Sequence, residues 1–381
     1  MNPIFAGLGT TIFEEMSALA RAHGAINLGQ GFPETEGPED IRRAAAEALL
    51  AGPNQYPPMM GVPALRGAVA DHYRRHQALD FTAEDVLVTS GATEALAAAI
   101  FALVSPGDEV LLIQPMYDAY LPLVLRAGGV PRYLTLRPPG WRLEAEAVAR
   151  AFAGRPKLVI FNNPLNPAAR VFDAEEVALL ADACRSHGTI AICDEVWEHV
   201  LFDDRTHRPL IAEPGMADRA VKIGSAGKIF SMTGWKVGFV FAAPALLGPI
   251  ARAHQFLTFT TLPALQAAVA YGLAKPDAYF REMRAGYARS RDHLADRLRS
   301  AGYHPLESEG TYFLCVDLAR SGVAIPYRAF CLRAVREAGV AAIPVSSFYA
   351  DAAASGIIRL CFAKPDPVLD DAVDRLGRLL G

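Results

Sequence analysis

Lys228 lies in Val-Lys-Ile-Gly-Ser-Ala-Gly-Lys-Ile-Phe-Ser-Met-Thr-Gly-Trp-Lys-Val-Gly-Phe-Val, residues 221–240, between small residues and hydroxyls and just after an apolar, strand-like run. A second cation, Lys236, follows eight residues later. A crowded lysine near another positive charge has a lowered pKa and can form a Schiff base with a carbonyl compound. Ser225 and Lys236 could hold an anion beside it. An imine-forming amine next to an anion site points to an aldehyde that carries a phosphate, and pyridoxal 5'-phosphate (PLP) has both groups. Two plainer readings compete. One is a surface lysine in an ordinary loop. The other is a P-loop, which requires Gly at 222 and Ser or Thr at 229; Lys222 and Ile229 exclude it.

Four further features stand at the ends of predicted strands, each with a bland alternative. Ser90-Gly91-Ala92-Thr93 exposes backbone N–H groups at a helix start, which favours a phosphate, or is a plain strand-to-helix turn capped by Thr93. Asp194 ends Ile190-Ala191-Ile192-Cys193. A carboxylate at the mouth of a buried strand needs a partner, and a protonated pyridine nitrogen would serve; the alternative is a capping or salt-bridging Asp. In Asn162-Asn163-Pro164-Leu165-Asn166-Pro167 the prolines stiffen a turn and aim Asn166 at the same edge, where its amide could donate to a phenolic oxygen or simply satisfy backbone. Tyr117, in Gln114-Pro115-Met116-Tyr117-Asp118, could stack on a flat ring or belong to the core.

The elements that must position these groups alternate. Val86–Val88, Glu109–Gln114, Lys157–Asn162 and Thr189–Cys193 read as strands, with helices over Thr93–Leu103 and Asp173–His187. Continuous apolar strands between helices predict an α/β fold with a largely parallel sheet covered on both faces. Ligands of such sheets bind beyond the carboxyl ends of the strands. Residues 1–14 read as an arm with exposed Ile4, Phe5, Ile12 and Phe13, and Glu14–His23 as a helix, followed by a loop over Asn27–Pro38. Asp277–Gly302 reads as one long amphipathic helix, followed by a strand (Thr311–Asp317), a helix (Tyr327–Ala338), a strand (Ile357–Phe362) and a last helix. The predicted organisation is an arm (1–14), a large domain (44–275) and a smaller α+β domain made of 15–43 and 276–381.

Bulk properties exclude several classes. At 381 residues, 52% hydrophobic and 20% charged, with a net charge of −4, the chain has the balance of a globular enzyme and no basic surface for nucleic acid or membrane. Met-Asn-Pro-Ile-Phe-Ala-Gly has no basic region followed by an apolar one, so no signal peptide is read. The five cysteines form no Cys-x-x-Cys pair and read as buried thiols of a cytoplasmic protein. His72 and His76 have the i, i+4 spacing of a metal pair, but they sit on a charged helix face without a third ligand, so no metal is expected.

Taken together, the order phosphate turn, stacking aromatic, Asn turn, Asp, then Lys with a phosphate cation resembles the fold type I PLP-dependent aminotransferases of class I/II, over nearly the full length. Ile26–Pro33, Asn54-Gln55-Tyr56 with Gly61 and Leu65-Arg66, and Gly224–Gly238 are similar to the kynurenine aminotransferase, glutamine transaminase K and methionine aminotransferase group. The resemblance implies that Lys228 carries the Schiff base and moves the proton, that Asp194 pairs with the pyridine nitrogen, and that Asn166 binds the phenolic oxygen. It implies that Tyr117 stacks on the ring, and that Ala92, Thr93, Ser225 and Lys236 hold the phosphate with Tyr56 of a partner subunit. Arg359 would clamp the substrate carboxylate, with Gly31 leaving room and Phe13, Phe259 and Phe348 near the side-chain pocket. The chain departs from the family pattern at Trp197, where a Tyr is usual, and at Leu165 and Ala169. The expectation is a homodimeric enzyme that moves an amino group from an aromatic, Met-like or Gln-like L-amino acid to a 2-oxo acid. A PLP-dependent C–S β-lyase on the same scaffold is the alternative. A non-catalytic PLP-binding regulator is more remote, because the chain has no spare length for a DNA-binding module.

Overall fold

The computed structural model describes residues 1–351 and 356–380; residues 352–355 and 381, within the expected small domain, lie outside the described residues. A seven-stranded sheet forms its centre. From edge to edge the strands are Val86–Thr89, Gly238–Ala242, Ala220–Ser225, Ile190–Asp194, Leu158–Asn162, Glu109–Gln114 and Val130–Thr135. Neighbours pair in parallel, except that Gly238–Ala242 runs antiparallel to both of its neighbours. The sheet is therefore mostly parallel, as the β-α alternation predicts, and the apolar runs are buried on both faces. Val130–Thr135 is an open edge strand that hydropathy alone did not reveal. Its Pro131 and Arg132 suit a strand with one free side.

A second sheet, of strands Ile343–Pro344, Ile357–Cys361, Phe313–Asp317 and His304–Pro305, is antiparallel throughout. Ile26–Asn27 pairs in parallel with Val340–Ala341, which fastens the N-terminal chain to C-terminal elements. Asn27, expected in a loop, is drawn into that pair. The long helix runs from Asp277 to Ser300 and packs on the last helix, Asp366–Gly377.

Three expectations are corrected. The first long helix is Ile12–His23, because the Thr11 hydroxyl caps it by accepting from Glu14 N. Ile12 and Phe13 are thus half-buried rather than part of an exposed arm, and the Phe13 ring meets Phe348 at 5.6 Å. The helix expected over Tyr327–Ala338 is α-helical only to Arg333. It ends in a π turn that brings Ala334, Val335 and Ala338 into the core. His72 is not on a charged face. The helical period puts Asp71, Arg74 and Arg75 outside and His72 inside, with its Nε2 2.8 Å from His199 Nε2.

Candidate active site

The carboxyl ends of the parallel strands open on one cavity, lined by Ala92, Thr93, Tyr117, Asn166, Asp194, Trp197, Ser225, Lys228 and Lys236. It continues into a second space lined by Phe13, Gly31, Asp118, Phe313 and Arg359, with Tyr117, Asn166, Trp197 and Lys228 shared between the two. The fold therefore brings together residues spread over more than 300 positions.

An anion seat forms where helix Ala92–Leu103 begins. Gly91 caps it with no side-chain hydrogen bond, so the first N–H groups remain free for a ligand. A Cβ on Gly91, whose φ is +80°, would lie 3.3 Å from Lys236 Nζ, which places that ammonium directly over the turn. Gly238 lets the antiparallel strand pass close by: a Cβ there would come within 2.6 Å of Gly91 C and 2.8 Å of Ala92 N. An uncapped helix start, an ammonium and the nearby hydroxyls of Ser225 and Thr233 together suit a phosphate.

Across the cavity, Asp194 Oδ2 accepts from the Tyr120 hydroxyl at 2.6 Å, while Oδ1 is buried with no side-chain donor among the described residues. Burial raises its carboxyl pKa, against the hydrogen bond from Tyr120. A protonated ring nitrogen would satisfy the bare oxygen. Asn162 sets the turn beside it, its Nδ2 donating to Asp194 O and its Oδ1 accepting from Asn166 N, both at 2.8 Å.

Lys228 Nζ donates to Tyr312 Oη at 3.1 Å and to Gly31 O at 3.3 Å, and lies 4.6 Å above the Trp197 ring. Burial lowers its amine to about 8; Arg359 and Lys236 press the same way, and Asp194 opposes them. Arg359 is buried and has no carboxylate salt bridge among the described residues. It donates to Asn166 Oδ1 at 2.7 Å and Gly29 O at 2.8 Å, its Nε has no partner, and its guanidinium lies 3.8 Å from the Phe313 ring centroid. A buried cation whose hydrogen bonds among the described residues go to neutral acceptors is ready for an incoming carboxylate. Gly31 keeps the space in front of Phe313 clear, since a Cβ would come 3.0 Å from Phe313 Cζ.

Some expected residues lie elsewhere. Tyr56 is 84% exposed and packs edge-on against Phe259 at 5.5 Å, with neither ring lining the cavity of its own chain. Phe348 is buried behind the clamp, 5.1 Å from the Arg359 guanidinium, and does not line the space itself. Of the departures from the family pattern, Trp197 meets Tyr312 edge-on at 4.4 Å. Leu165 is buried, and Ala169 adopts φ +57°, the left-handed conformation that a glycine takes more easily.

Sequence reading missed Tyr120, Asn162, Thr233 and Tyr312. Tyr120 carried no signal, because a ring at the head of the apolar stretch 120–125 reads as core. Tyr312, which opens the apolar run 312–316, carried none. Also missed was a buried ionic cluster on the reverse side of the Asp194 strand. There Lys222 contacts Glu195 and Glu198, and His207 Nε2 lies 3.0 Å from Glu195 Oε2. Glu195, Glu198 and His207 are close enough together to bind a metal, but the Lys222 ammonium already pairs with both carboxylates.

The donor set fits PLP at each of its polar groups. The chain matches the family aminotransferase class I and II over residues 23–376, and it belongs to that family. It is 42% identical to the probable N-succinyldiaminopimelate aminotransferase of Mycobacterium tuberculosis (97% of this chain, 96% of that one) and 42% identical to the methionine aminotransferase of Escherichia coli (98% and 96%). It is also 34% identical to the human kynurenine–oxoglutarate transaminase 1 (98% and 96%). The solved structure of the M. tuberculosis enzyme superposes with a TM-score of 0.95, covering 99% of each chain. The chain is a PLP-dependent transaminase of fold type I.

Proposed function

We propose that this transaminase takes its amino group from L-amino acids with aromatic, Met-like or Gln-like side chains and passes it to a 2-oxo acid. One observation carries this reading. The space in front of Arg359 is walled by Phe13, Phe32, Trp197 and Phe313, and among its described lining residues Asp118 is the carboxylate and Lys228 and Arg359 are the cations. A second carboxylate on a donor would find no cation beyond Lys228 and Arg359 among the described lining residues, and would face Asp118. The curated relatives act, by their names, on three different donors, so none of those donors is transferred directly.

When bound, PLP supplies an aldehyde for amines and a ring that accepts the electrons of the α-carbon. The remaining work falls to residues of the chain. Ala92, Thr93, Ser225 and Lys236 seat the phosphate, Asp194 keeps the ring nitrogen protonated, Tyr117 stacks on the ring, and Asn166 holds the phenolic oxygen. Arg359 fixes the substrate carboxylate, and Lys228 Nζ carries the proton away from the α-carbon. We further infer a homodimer, with Tyr56 and Phe259 completing the partner's site, and a division into an arm that ends where helix Ile12–His23 begins, a large domain (44–275) and a small domain made of that helix, the chain up to residue 43, and 276–381. The five cysteines, all free and buried, support a reducing, cytoplasmic setting.

The test is a donor screen on the purified holoenzyme, followed by the change in cofactor absorbance and by the oxo acid formed. Met, Phe and Gln should be consumed at least tenfold faster than Asp and N-succinyldiaminopimelate. Faster turnover of either dicarboxylate would overturn the donor class. Release of ammonia and pyruvate from cysteine conjugates without an oxo-acid acceptor would place the chain among the β-lyases.

A further inference from the structure

Gly31 O, Tyr312 Oη and Lys228 Nζ form a triangle. Tyr312 donates to Gly31 O at 2.5 Å, and Lys228 donates to Tyr312 Oη at 3.1 Å and to Gly31 O at 3.3 Å. Because its own proton goes to the carbonyl, the phenol presents a lone pair to the amine. The third side of the amine faces the Trp197 ring at 4.6 Å. A protonated lysine therefore finds two oxygen acceptors and an aromatic face, one partner for each N–H. Tyr312 is wholly buried and wedged edge-on against Trp197 and Phe313, at 4.4 and 5.1 Å, so the hydroxyl is fixed in direction.

The geometry points to Tyr312 as a positioning residue that receives the Lys228 ammonium while it carries the substrate's α-proton. This inference rests on the transaminase reading above. In the step concerned, the Cα–H bond of the bound substrate breaks and its electron pair stays on the substrate side. The proton joins the lone pair of Lys228 Nζ, and the same proton later leaves for the neighbouring carbon. The enzyme is neither oxidised nor reduced. A neutral amine in this setting gains less from Tyr312 than an ammonium does, because hydrogen bonds to charged groups are the stronger ones. Tyr312 thereby raises the basicity of an amine that burial holds at about 8. The other groups acting on Lys228 are Asp194, at the end of its strand, Arg359 and Cys361 on strand Ile357–Cys361, and Lys236 over the phosphate turn. None of these forms a hydrogen bond with the amine among the described residues. Tyr287, on the long helix, bonds instead to the Ser231 hydroxyl at 2.6 Å.

Tyr312→Phe removes the hydroxyl and keeps the ring that packs on Trp197. Two measurements test the role. In the cofactor-free full-length chain, the pH dependence of Lys228 acetylation by acetic anhydride, read by peptide mass spectrometry, should move its midpoint down by about one unit. In the holoenzyme, kcat should fall about tenfold or more with KM nearly constant, and the isotope effect with an α-deuterated amino acid should rise as proton abstraction becomes limiting. An unchanged acetylation midpoint, or an unchanged isotope effect, overturns the proposal and leaves Tyr312 as packing. If borohydride reduction of the wild-type holoenzyme fails to trap PLP on Lys228, the transaminase reading itself falls, and the acetylation midpoint alone still decides the role of Tyr312.

Discussion

Asn166 Oδ1 accepts a hydrogen bond of 2.7 Å from Arg359 Nη1, tying the turn after strand Leu158–Asn162 to the second sheet across the cavity. The guanidinium that would meet the substrate carboxylate is therefore oriented by the same amide expected to hold the cofactor's phenolic oxygen. Arg359→Ala should lower kcat/KM for every α-amino acid by about a hundredfold or more, the scale of losing one partner of a desolvated charged pair. The spectrum of bound PLP should stay intact. Loss confined to one class of side chain would place Arg359 in the side-chain pocket instead. Asn166→Ala should weaken substrate binding and alter the spectrum together.

Tyr120→Phe should strip Asp194 of its one side-chain donor. The Asp194 carboxyl, already raised by burial, should rise further, so the ring nitrogen loses part of its anionic partner. PLP affinity should fall about tenfold, as for loss of an orienting outer contact at a cofactor or metal site, and the acidic limb of kcat/KM should move to higher pH. Cofactor fluorescence titration and a pH profile read both effects; unchanged values would mean that Tyr120 only fills space.

How far the site was legible varies by residue, for physical reasons. Lys228, Asp194, Asn166 and Tyr117 each follow a continuous apolar run, and such a run fixes both the buried strand and the end at which the next polar side chain emerges. Tyr312 and Tyr120 could not be told from core aromatics, because a ring in an apolar stretch reads the same whether or not its hydroxyl faces a cavity. Lys222 registered only as a mismatch to a phosphate loop, since its carboxylate partners lie more than twenty residues away and meet it only across paired strands. His72 was misplaced because spacing alone does not say which side of a helix is covered.

Lys222 supports the fold through charge. Burial pushes Glu195 up, but Lys222 and His207 outweigh it and hold the carboxyl at about 2, below its ordinary 4.5. A carboxyl depressed in the folded state stabilises the protein above its unfolded pKa, and that contribution disappears as pH falls from 4.5 through about 2. The amount is about 3 kcal/mol. Lys222→Met should cost about 3–5 kcal/mol at neutral pH by taking the shared ammonium from two buried carboxylates. It should also flatten the acid dependence, because Glu195 would then be protonated more readily in the folded state. Urea midpoints at pH 7, 4.5 and 3 test both parts. A variant as stable as the wild type at pH 7 would show that the cluster is neutral overall.

Trp197→Tyr should lower the spectroscopic pKa of the cofactor bound at Lys228. The indole N–H makes no hydrogen bond among the described residues, and the ring face lies under the lysine nitrogen. A phenol in its place offers a donor to the cofactor's phenolic oxygen and stabilises the anionic form, while a smaller aromatic face favours the lysine cation less. A pH titration of the visible absorbance measures this. An unchanged or raised value in a folded variant would mean that the indole already donates to the bound cofactor.

Tyr56 should act in the partner's site. It is largely exposed, as are Leu50 and Phe256, at 88% and 86%, and its ring meets Phe259 edge-on at the surface. Large exposed apolar side chains suit a contact surface, and a two-fold dimer would carry each Tyr56 across the interface as a matched pair. The active holoenzyme should sediment as a dimer. Complementation separates the two placements of the ring. Lys228→Ala and Tyr56→Ala chains, each nearly inactive alone, are unfolded together and refolded. If Tyr56 serves the partner, a hybrid dimer has one site with both native residues, and random pairing should restore about a quarter of wild-type activity. If Tyr56 served its own chain, every site in the mixture would lack one of the two residues, and no activity would return.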